Sequence, residues 1–339
     1  MRLFSLTKEI AIDLGTANTV IIHNDKIVID EPSIVALDRR TDKLIAVGKE
    51  AQQMQGKENE TIKTVRPLRK GVIADFNAAE LMIRGLVKKA SSKSNWFSPS
   101  LRMVVGIPSG STEVEIRAVR DSSEHAGGRD VYMIYEPMAA ALGIGLDVTA
   151  AEGNMIVDIG GGTTEIAVIS LGGIVSNKSI QVAGDDLTED IMSHMRRAHN
   201  VKVGERTAEA IKMNVGSALT ELDNPPADYI VHGPNQMTAL PMEVPVSYQE
   251  ISHCIEKSIS KIETAVLGAL EQTPPELYAD IVRNGIYLAG GGALLRGLDK
   301  RLTNKIGIQF HVAEDPLLSV AKGTGVALKN IDKFSFLIR

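Results

Sequence analysis

At 339 residues the chain is long enough to form two domains with substantial hydrophobic cores. Its formal net charge of -5 argues against general nucleic-acid binding, so no nucleic-acid partner is expected. The single cysteine, Cys254, excludes an internal disulfide and is typical of a reducing compartment.

Patterns of membrane spans, secretion signals and metal sites are not evident in the sequence. No stretch approaches the ~20 apolar residues of a spanning helix, and no histidine or cysteine cluster has metal-site spacing. The polar residues 7–9 interrupt any secretory signal. Residues 1–6 could be a short amphipathic anchor, although a frayed end or an edge strand is favoured. We therefore expect a cytosolic protein whose contact with a membrane is peripheral.

The first predicted element is a strand, a tight turn and a second strand over residues 10–22. Asp13 ends the first strand, where it could hold a hydrated magnesium ion. Gly15 in the turn allows backbone N–H groups to point into one concavity, an arrangement that suits a phosphate. This segment therefore predicts one side of a phosphate site.

Residues 31–70 alternate short β-branched runs with polar turns and predict a small inserted subdomain. A helix follows, for which we predict Asn77 as the N-cap with Glu80 three residues later. The next loop, residues 91–100, carries Trp96 and Phe97 among serines. These rings could insert at the headgroup level of a membrane or fold back onto the domain, and the residues alone leave both interpretations open.

A strand over residues 101–107 is followed by a helix that Thr112 and Glu115 begin as a capping box. Another strand, residues 131–135, runs directly into Glu136 and an alanine-rich helix. Glu136 thus lies at the carboxyl end of a strand, where it could orient a water for attack on a γ-phosphate. A plain helix cap is the alternative, and without further context it is preferred.

A second strand-turn-strand motif occupies residues 156–165 and repeats the first one. Asp158 corresponds to Asp13 and Gly160 to Gly15, while the pair Thr163-Thr164 replaces Asn18-Thr19. A duplicated motif of this kind predicts two similar halves that hold one nucleotide between them.

The rest of the second half supplies three further patterns. Glu209 and Lys212 are neighbours one helical turn apart and could reach a ribose or base edge, or form an ordinary surface ion pair. Ser247 and Glu250 predict a capping box for a long helix with an apolar core stripe. Residues 290–292 are three glycines at a predicted strand-to-helix turn, which permits close approach of a ligand.

Taken in order, these motifs resemble the superfamily of actin, sugar kinases and heat-shock-chaperone ATPases, and within it the MreB family of bacterial actins. The segments that carry the closer resemblance are residues 12–19, 71–76, 136–141, 204–209 and 273–277. The resemblance covers essentially the whole chain.

The resemblance implies an α/β, actin-like bilobed fold with two duplicated domains around a nucleotide cleft, each with a small inserted subdomain. The implied ranges are 1–30, 71–145 and 316–339 for the first lobe, 31–70 for its small subdomain, 146–181 and 246–315 for the second lobe, and 182–245 for its small subdomain.

The resemblance also implies roles for individual residues with ATP or ADP and Mg²⁺ as ligands. Asp13 and Asp158 would approach the metal through water, Glu136 with help from Thr164 would position the hydrolytic water, and Trp96 and Phe97 would insert into the membrane. The implied nucleotide contacts are Thr16, Ala17, Asn18, Gly161, Gly162, Thr163, Glu209, Ala210, Ile211, Lys212, Ala289, Gly290, Gly291 and Gly292.

Two departures from the family pattern lie near this site. Tyr135 stands where an acid is expected before the glutamate, and Ser109 and Ser111 make the turn after Pro108 unusually polar. Neither departure implies lost activity.

The function implied is that of a slow ATPase that assembles into filaments, as paired or antiparallel protofilaments, on the inner face of the cytoplasmic membrane. Its partners would be other copies of the chain, inner-membrane lipids and membrane proteins of the cell-elongation machinery, and its role would be to organise cell-wall synthesis and maintain a rod shape. A soluble sugar or acetate kinase is the alternative, but no acceptor-site motif is evident. A chaperone ATPase is disfavoured because no substrate-binding domain is expected.

Overall fold

The computed structural model of the chain describes residues 7–92 and 100–338. The strands are β1 (Thr7–Leu14), β2 (Asn18–His23), β3 (Lys26–Pro32), β4 (Val35–Asp38), β5 (Leu44–Val47), β6 (Ile62–Val65), β7 (Leu68–Arg69), β8 (Val72–Ile73), β9 (Ser100–Ile107), β10 (Asp130–Tyr135), β11 (Asn154–Ile159), β12 (Thr164–Ser170), β13 (Gly173–Ile180), β14 (Tyr229–Pro234), β15 (Pro241–Val246), β16 (Ile286–Ala289) and β17 (Phe310–Val312). The α-helices are α1 (Lys49–Met54), α2 (Phe76–Ser92), α3 (Glu113–His125), α4 (Glu136–Ile144), α5 (Gly184–Ala198), α6 (Glu205–Val215), α7 (Tyr248–Glu271), α8 (Pro275–Asn284), α9 (Leu298–Ile306) and α10 (Ser319–Lys329).

Two five-stranded sheets share one topology. The first has the order β3-β2-β1-β9-β10, and the second has the order β13-β12-β11-β16-β17. In each sheet the first three strands are antiparallel neighbours, and the last two run parallel to the strand that opens the motif. The duplication predicted from the sequence is therefore present in the strand pairing itself, and the bilobed α/β fold class is confirmed.

Each half of the chain also contains a smaller sheet that is separate from the large one. The strands β4, β5 and β6 pair within the segment 31–70, and β14 pairs with β15 between α6 and α7. These are the two places where inserted subdomains were predicted, although their residue boundaries remain predictions.

Each large sheet is packed on both faces. Successive side chains of a strand point to opposite faces, so neighbouring residues of one strand belong to different cores. In β1, Ile10 and Ile12 pack with α2 and α3, whereas Ala11 faces the space between the two sheets. In β11, Val157 belongs to the core of the second lobe, whereas Ile156 faces that shared space. Each fully buried aliphatic side chain of this kind contributes about 1.5–3 kcal/mol.

The shared space between the sheets is filled by α4 and α10, which pack against each other through Gly143 and Gly323. A methyl group on Gly143 would overlap the carbonyl oxygen of Ser319, and one on Gly323 would overlap the carbonyl oxygen of Ala139. The two helices are therefore in direct backbone contact in the layer between the two large sheets.

The predicted capping box of α3 is confirmed, since Thr112 and Glu115 form both halves of it. The structure also places Pro275 at the start of α8. Cys254 is partly buried, and desolvation raises the pKa of its thiol to about 12. A thiol of this kind is protonated and unreactive at neutral pH.

Two other local predictions are wrong. The cap of α2 is Asp75, whose carboxylate accepts from the Ala78 N–H at 2.9 Å, and Asn77 lies inside the first turn. The glycines after β16 lead into a short 3-10 helix, Gly291–Leu294, because Leu295 returns to an extended conformation. The next α-helix, α9, begins only at Leu298.

Candidate functional site

The tips of the two duplicated hairpins meet between the lobes. A Cβ atom on Gly161 would lie 2.9 Å from the Cβ of Ala17. On Gly162 it would lie 2.8 Å from both the Lys70 backbone nitrogen and Thr16 Oγ1. Real Cβ contacts are longer than this, so the two glycines are required by the close approach of the tips.

Hydrogen bonds fix the first tip from behind. The Ser33 hydroxyl donates to the Gly15 carbonyl at 2.6 Å, and the Ser33 N–H donates to the Ala17 carbonyl at 2.9 Å. The Gly71 N–H donates to Thr16 Oγ1 at 3.1 Å, which also holds the return of the 31–70 segment against this tip. These three hydrogen bonds hold the backbone of the first tip against the neighbouring segments.

The second tip is also held by hydrogen bonds, which its carbonyl groups accept from the start of α5. The Gly160 carbonyl accepts from the Gly184 N–H at 3.1 Å, and the Gly161 carbonyl accepts from the Asp185 N–H at 2.7 Å. In the part of the chain that the structure describes, the N–H groups of Gly161 and Gly162 have no hydrogen-bond acceptor. Unpaired N–H groups at a glycine turn are the donors that an anion such as a phosphate needs.

Four carboxyl groups gather beside these tips. They come from the end of β1, the start of α4, the end of β11 and the start of β12, and they are Asp13, Glu136, Asp158 and Glu165. Burial raises the pKa of Asp13 to about 7. Burial together with the charges of Asp13 and Glu165 raises the pKa of Asp158 to about 7. Because like charges in a buried site repel one another, this arrangement favours a bound cation with oxygen ligands, and it fits Mg²⁺.

Glu136 is the first residue of α4 and does not cap it, since the N-cap is Tyr135. Burial, followed by the charges of Glu165, Asp13 and Asp158, raises the pKa of Glu136 well above its ordinary value. A strongly perturbed carboxyl in a cleft is a candidate for proton transfer chemistry. The interpretation of Glu136 as a plain cap is therefore wrong.

Thr164 is fully buried, and its hydroxyl donates to the Val182 carbonyl at 2.7 Å. The hydroxyl proton is thus committed to the backbone, and only its oxygen lone pairs are left for a water molecule. Its role beside Glu136 stays a prediction.

Sequence reasoning gave no role to Glu165, although it is 1% exposed and completes the acidic group. Its carboxylate accepts from the Ser179 hydroxyl at 2.6 Å, from the Ser109 N–H at 3.1 Å and from the Ser109 hydroxyl. The cross-strand register pairs Glu165 with Asp158, so the hairpin pattern contained the signal that could have found it. The polar turn at Ser109 is explained by the same contact.

Lys212 and Glu209 form an ordered pair near the second tip. Lys212 Nζ lies 2.7 Å from Glu209 Oε2 and donates to the Gly184 carbonyl at 2.8 Å. The Thr188 hydroxyl donates to Glu209 at 2.7 Å. These contacts anchor α6 to the start of α5 at Gly184, the residue whose N–H donates to the Gly160 carbonyl.

The two residues between this pair differ in accessibility. Ala210 is partly exposed, whereas Ile211 is fully buried in the core of the second lobe. The side chain of Ile211 is therefore not available to a nucleotide, and only its backbone could take part.

The glycine turn after β16 lies against the end of β11. Ala289 pairs with Asp158 in the sheet, and Gly290 has φ +78°. A methyl group on Gly290 would overlap the Ile159 carbonyl oxygen and a carboxylate oxygen of Asp158. This turn, with Gly291 and Gly292, is therefore beside the acidic group, and its contact with a nucleotide stays a prediction.

A polar bridge crosses between the lobes near the tips. Arg66 contacts Glu205 and donates to Asp185 at 3.1 Å, and it also reaches the Thr16 carbonyl at 3.4 Å. Gln55 donates to the second carboxylate oxygen of Glu205 at 3.0 Å. The sequence analysis did not predict this bridge.

The predicted membrane residues Trp96 and Phe97, and the candidate anchor at residues 1–6, lie outside the described residues. Among the residues that are described, no helix is both long and apolar enough to cross a membrane.

Comparison with known proteins places this geometry in a family. The family model for the MreB/Mbl protein matches residues 7–336. The chain is 45% identical to the cell shape-determining protein MreB of Escherichia coli (strain K12), over 96% of this chain and 94% of that one. It is 42% identical to the cell shape-determining protein Mbl of Bacillus subtilis (strain 168), over 96% of this chain and 97% of that one.

Solved structures agree with these sequence relatives. The crystal structure of MreB5 of Spiroplasma citri bound to AMPPNP superposes with a TM-score of 0.90 at 38% identity and covers 96% of this chain and 97% of that one. The double helical filament of MamK has a TM-score of 0.79 at 20% identity over 96% of this chain and 99% of that one, which shows the fold alone. The chain belongs to the MreB/Mbl family.

Proposed function

We propose that this chain is an ATP-dependent, actin-like cytoskeletal protein that forms filaments and determines cell shape. The observation that carries the proposal is the meeting of two duplicated hairpin tips beside four buried carboxyl groups. Relatives named cell shape-determining proteins, and a relative solved with AMPPNP and with ADP, support the same ligand and role.

In the proposed site, the first tip (Thr16 to Asn18) and the second tip (Gly161 to Thr163) hold the phosphates from opposite sides. Their N–H and hydroxyl groups donate to the phosphate oxygens. Asp13 and Asp158 hold Mg²⁺ through water, and the ion neutralises the charge of the phosphates and of the surrounding carboxylates. Glu209 and Lys212 with the backbone of Ala210 and Ile211 face the adenosine, and Ala289 to Gly292 support its other side.

Glu136 is proposed to position the hydrolytic water, with Thr164 as an acceptor beside it. A carboxyl that is ionised once the cleft is neutralised can accept a hydrogen bond from water and orient it for in-line attack. Hydrolysis is expected to be slow and to accompany filament assembly, since few groups act on the water.

The test is electron microscopy and phosphate release with purified protein, ATP and Mg²⁺. Glu136→Ala is expected to keep ATP binding and filament assembly but to release phosphate about 10²–10⁴-fold more slowly, the range that positioned acid–base groups contribute. Glu113→Ala, which removes an exposed acid from the first turn of α3, is the matched control and should behave as wild type.

Absence of filaments under every nucleotide and salt condition would contradict the cytoskeletal role. Wild-type turnover in Glu136→Ala would contradict the role of that residue only.

Membrane association is proposed through Trp96 and Phe97, with the filament on the inner face of the cytoplasmic membrane. There it would contact membrane proteins of the elongation machinery, orient cell-wall synthesis and maintain a rod shape. The double variant Trp96→Ser/Phe97→Ser should lose co-sedimentation with anionic liposomes, because aromatic rings at headgroup depth supply the apolar part of such binding. The matched control is Met237→Ser/Leu240→Ser, which removes two exposed apolar side chains elsewhere. Equal co-sedimentation of the two double variants would overturn the proposal that Trp96 and Phe97 insert into the membrane.

A further inference from the structure

A cluster of two imidazoles and one carboxylate lies apart from the cleft, on the second lobe. His194 Nε2 is 2.5 Å from Glu250 Oε1, and His199 Nε2 contacts the same oxygen. The potential ligand atoms of His194, His199 and Glu250 all lie within 4.8 Å of one another. Three such atoms that face one point have the arrangement of a partial coordination shell.

Secondary structure brings the three side chains together. His194 is in the last turns of α5, and His199 is the C-cap of that helix with φ -110°. The two histidines are five positions apart in the sequence, a spacing that does not place them directly above one another on one face of a regular helix. Glu250 is at the third position of α7, just after its N-cap Ser247.

Glu250 was predicted to complete a capping box with Ser247, but among the described residues only one half of that box forms. The Ser247 hydroxyl accepts from the Glu250 N–H at 3.2 Å, while the Glu250 carboxylate is directed to the two histidines. The Glu250 carboxylate therefore does not cap its own helix, and it contacts the end of α5 instead.

Charge and access at the cluster suit a cation. The Glu250 carboxylate supplies a negatively charged oxygen, and both imidazole Nε2 atoms lie against that same oxygen. The carbonyl end of α5 adds negative potential beside His199. All three side chains keep about a quarter of their surface exposed, 23%, 25% and 22%, so that an ion and a water molecule can enter.

We propose that His194, His199 and Glu250 bind a zinc ion that joins the end of α5 to the start of α7. Two imidazole nitrogens and one carboxylate oxygen are a ligand set that zinc accepts with water in the fourth position. Magnesium and calcium prefer oxygen ligands and would not select this set. The site is separate from the proposed ATPase chemistry and does not depend on it.

The site would have a structural effect because of what α5 carries at its other end. The first residues of α5, Gly184 and Asp185, hold the Gly160 turn through backbone hydrogen bonds. A metal that fixes the far end of α5 to α7 limits the tilt of this helix and so stabilises the lobe.

The experiment is equilibrium binding of Zn²⁺, and separately of Co²⁺, to the full chain in excess Mg²⁺, which occupies sites made of oxygen ligands alone. Wild type is expected to bind one Zn²⁺, to gain melting temperature on binding, and to give the visible absorption of four-coordinate Co²⁺. The double variant His194→Gln/His199→Gln should lose all three signals. Each single variant should bind Zn²⁺ more weakly by more than the roughly 10–100-fold that loss of an outer-shell partner causes.

The matched control is His253→Gln, which removes an exposed histidine one turn further along α7 and should bind as wild type. The glutamine variants keep a donor for Glu250, and their circular dichroism in the presence of a chelator reports folding independently of metal. If the double variant does not fold, His199→Gln alone decides the question. Zinc uptake that is equal in wild type and in the folded histidine variants, or no uptake by wild type, would overturn the proposal.

Discussion

Replacement of Arg66 by alanine should weaken the contact between the two lobes. Arg66 is 20% exposed and lies between Glu205 and Asp185, which belong to the second lobe. Burial raises the pKa of Asp185 and the charge of Arg66 opposes that rise, so the variant leaves a partly buried carboxylate without its counter-ion. The loss therefore has two parts, a broken ion pair and a carboxylate that is harder to keep charged.

The magnitude follows from the exposure of the three groups. Hydrogen bonds to charged groups contribute about 1.5–3 kcal/mol when well shielded, and exposed ion pairs about 0.2–1 kcal/mol. The partner side chains are 34% and 43% exposed, so solvent screens part of each interaction. We expect Arg66→Ala to lower the free energy of unfolding by about 2 kcal/mol, with a coupling to Glu205 of about 1 kcal/mol.

The assay is urea denaturation of a double-mutant cycle on Arg66 and Glu205. The matched control is the cycle on Arg84 and Glu80, an ion pair one helical turn apart on α2 whose arginine is 54% exposed. That pair should give a coupling of about 0.3–0.5 kcal/mol. A coupling for Arg66–Glu205 no larger than that of the control would refute the inference that the bridge stabilises the contact between the lobes.

Two further predictions concern the acidic end of β11. Gly290→Ala should destabilise the fold by about 1–3 kcal/mol more than Gly172→Ala, because both have positive φ but only the first methyl meets backbone and carboxylate atoms; equal denaturation midpoints would contradict the steric argument. Because the pKa of Asp158 is raised from 3.8 to about 7, the folded state holds a proton that the unfolded chain releases. The stability that this proton provides is complete below about pH 4 and is lost as the pH rises to about 7, by up to about 4 kcal/mol. Nucleotide-free Asp158→Asn should show a flatter dependence of unfolding free energy on pH, and a slope equal to that of wild type would count against the assignment.

The sequence was most informative where function depends on neighbours along the chain. The hairpin motifs placed Asp13 and Asp158 at strand ends, because a strand followed by a glycine turn leaves little choice of geometry. The cap of α2 was missed because Asp75 and Asn77 are both good N-cap residues two positions apart, and side-chain preference alone does not separate them.

Contacts between distant segments were out of reach of the sequence. The partners in the bridge of Arg66 with Glu205 are 139 residues apart, and Glu250 is 51 and 56 residues from its two histidines. No periodicity relates such positions, since only the packing of whole helices and sheets decides which side chains meet. Glu165 was a different case, since its pairing with Asp158 follows from the hairpin register.

The close contact between α4 and α10 restricts which residues can occupy the positions where the two helices meet. At positions 143 and 323 an added methyl would meet main-chain oxygens, and these can give way only if a whole helix moves. At Gly325, on the same helix, the nearest atom to such a methyl is a side-chain carbon of Ile22 at 3.7 Å, which is an ordinary contact. In a library of all single substitutions, positions 143 and 323 should therefore tolerate glycine alone while position 325 accepts alanine. The packing of α4 against α10, which fills the space between the two large sheets, therefore depends on two residues that have no side chain.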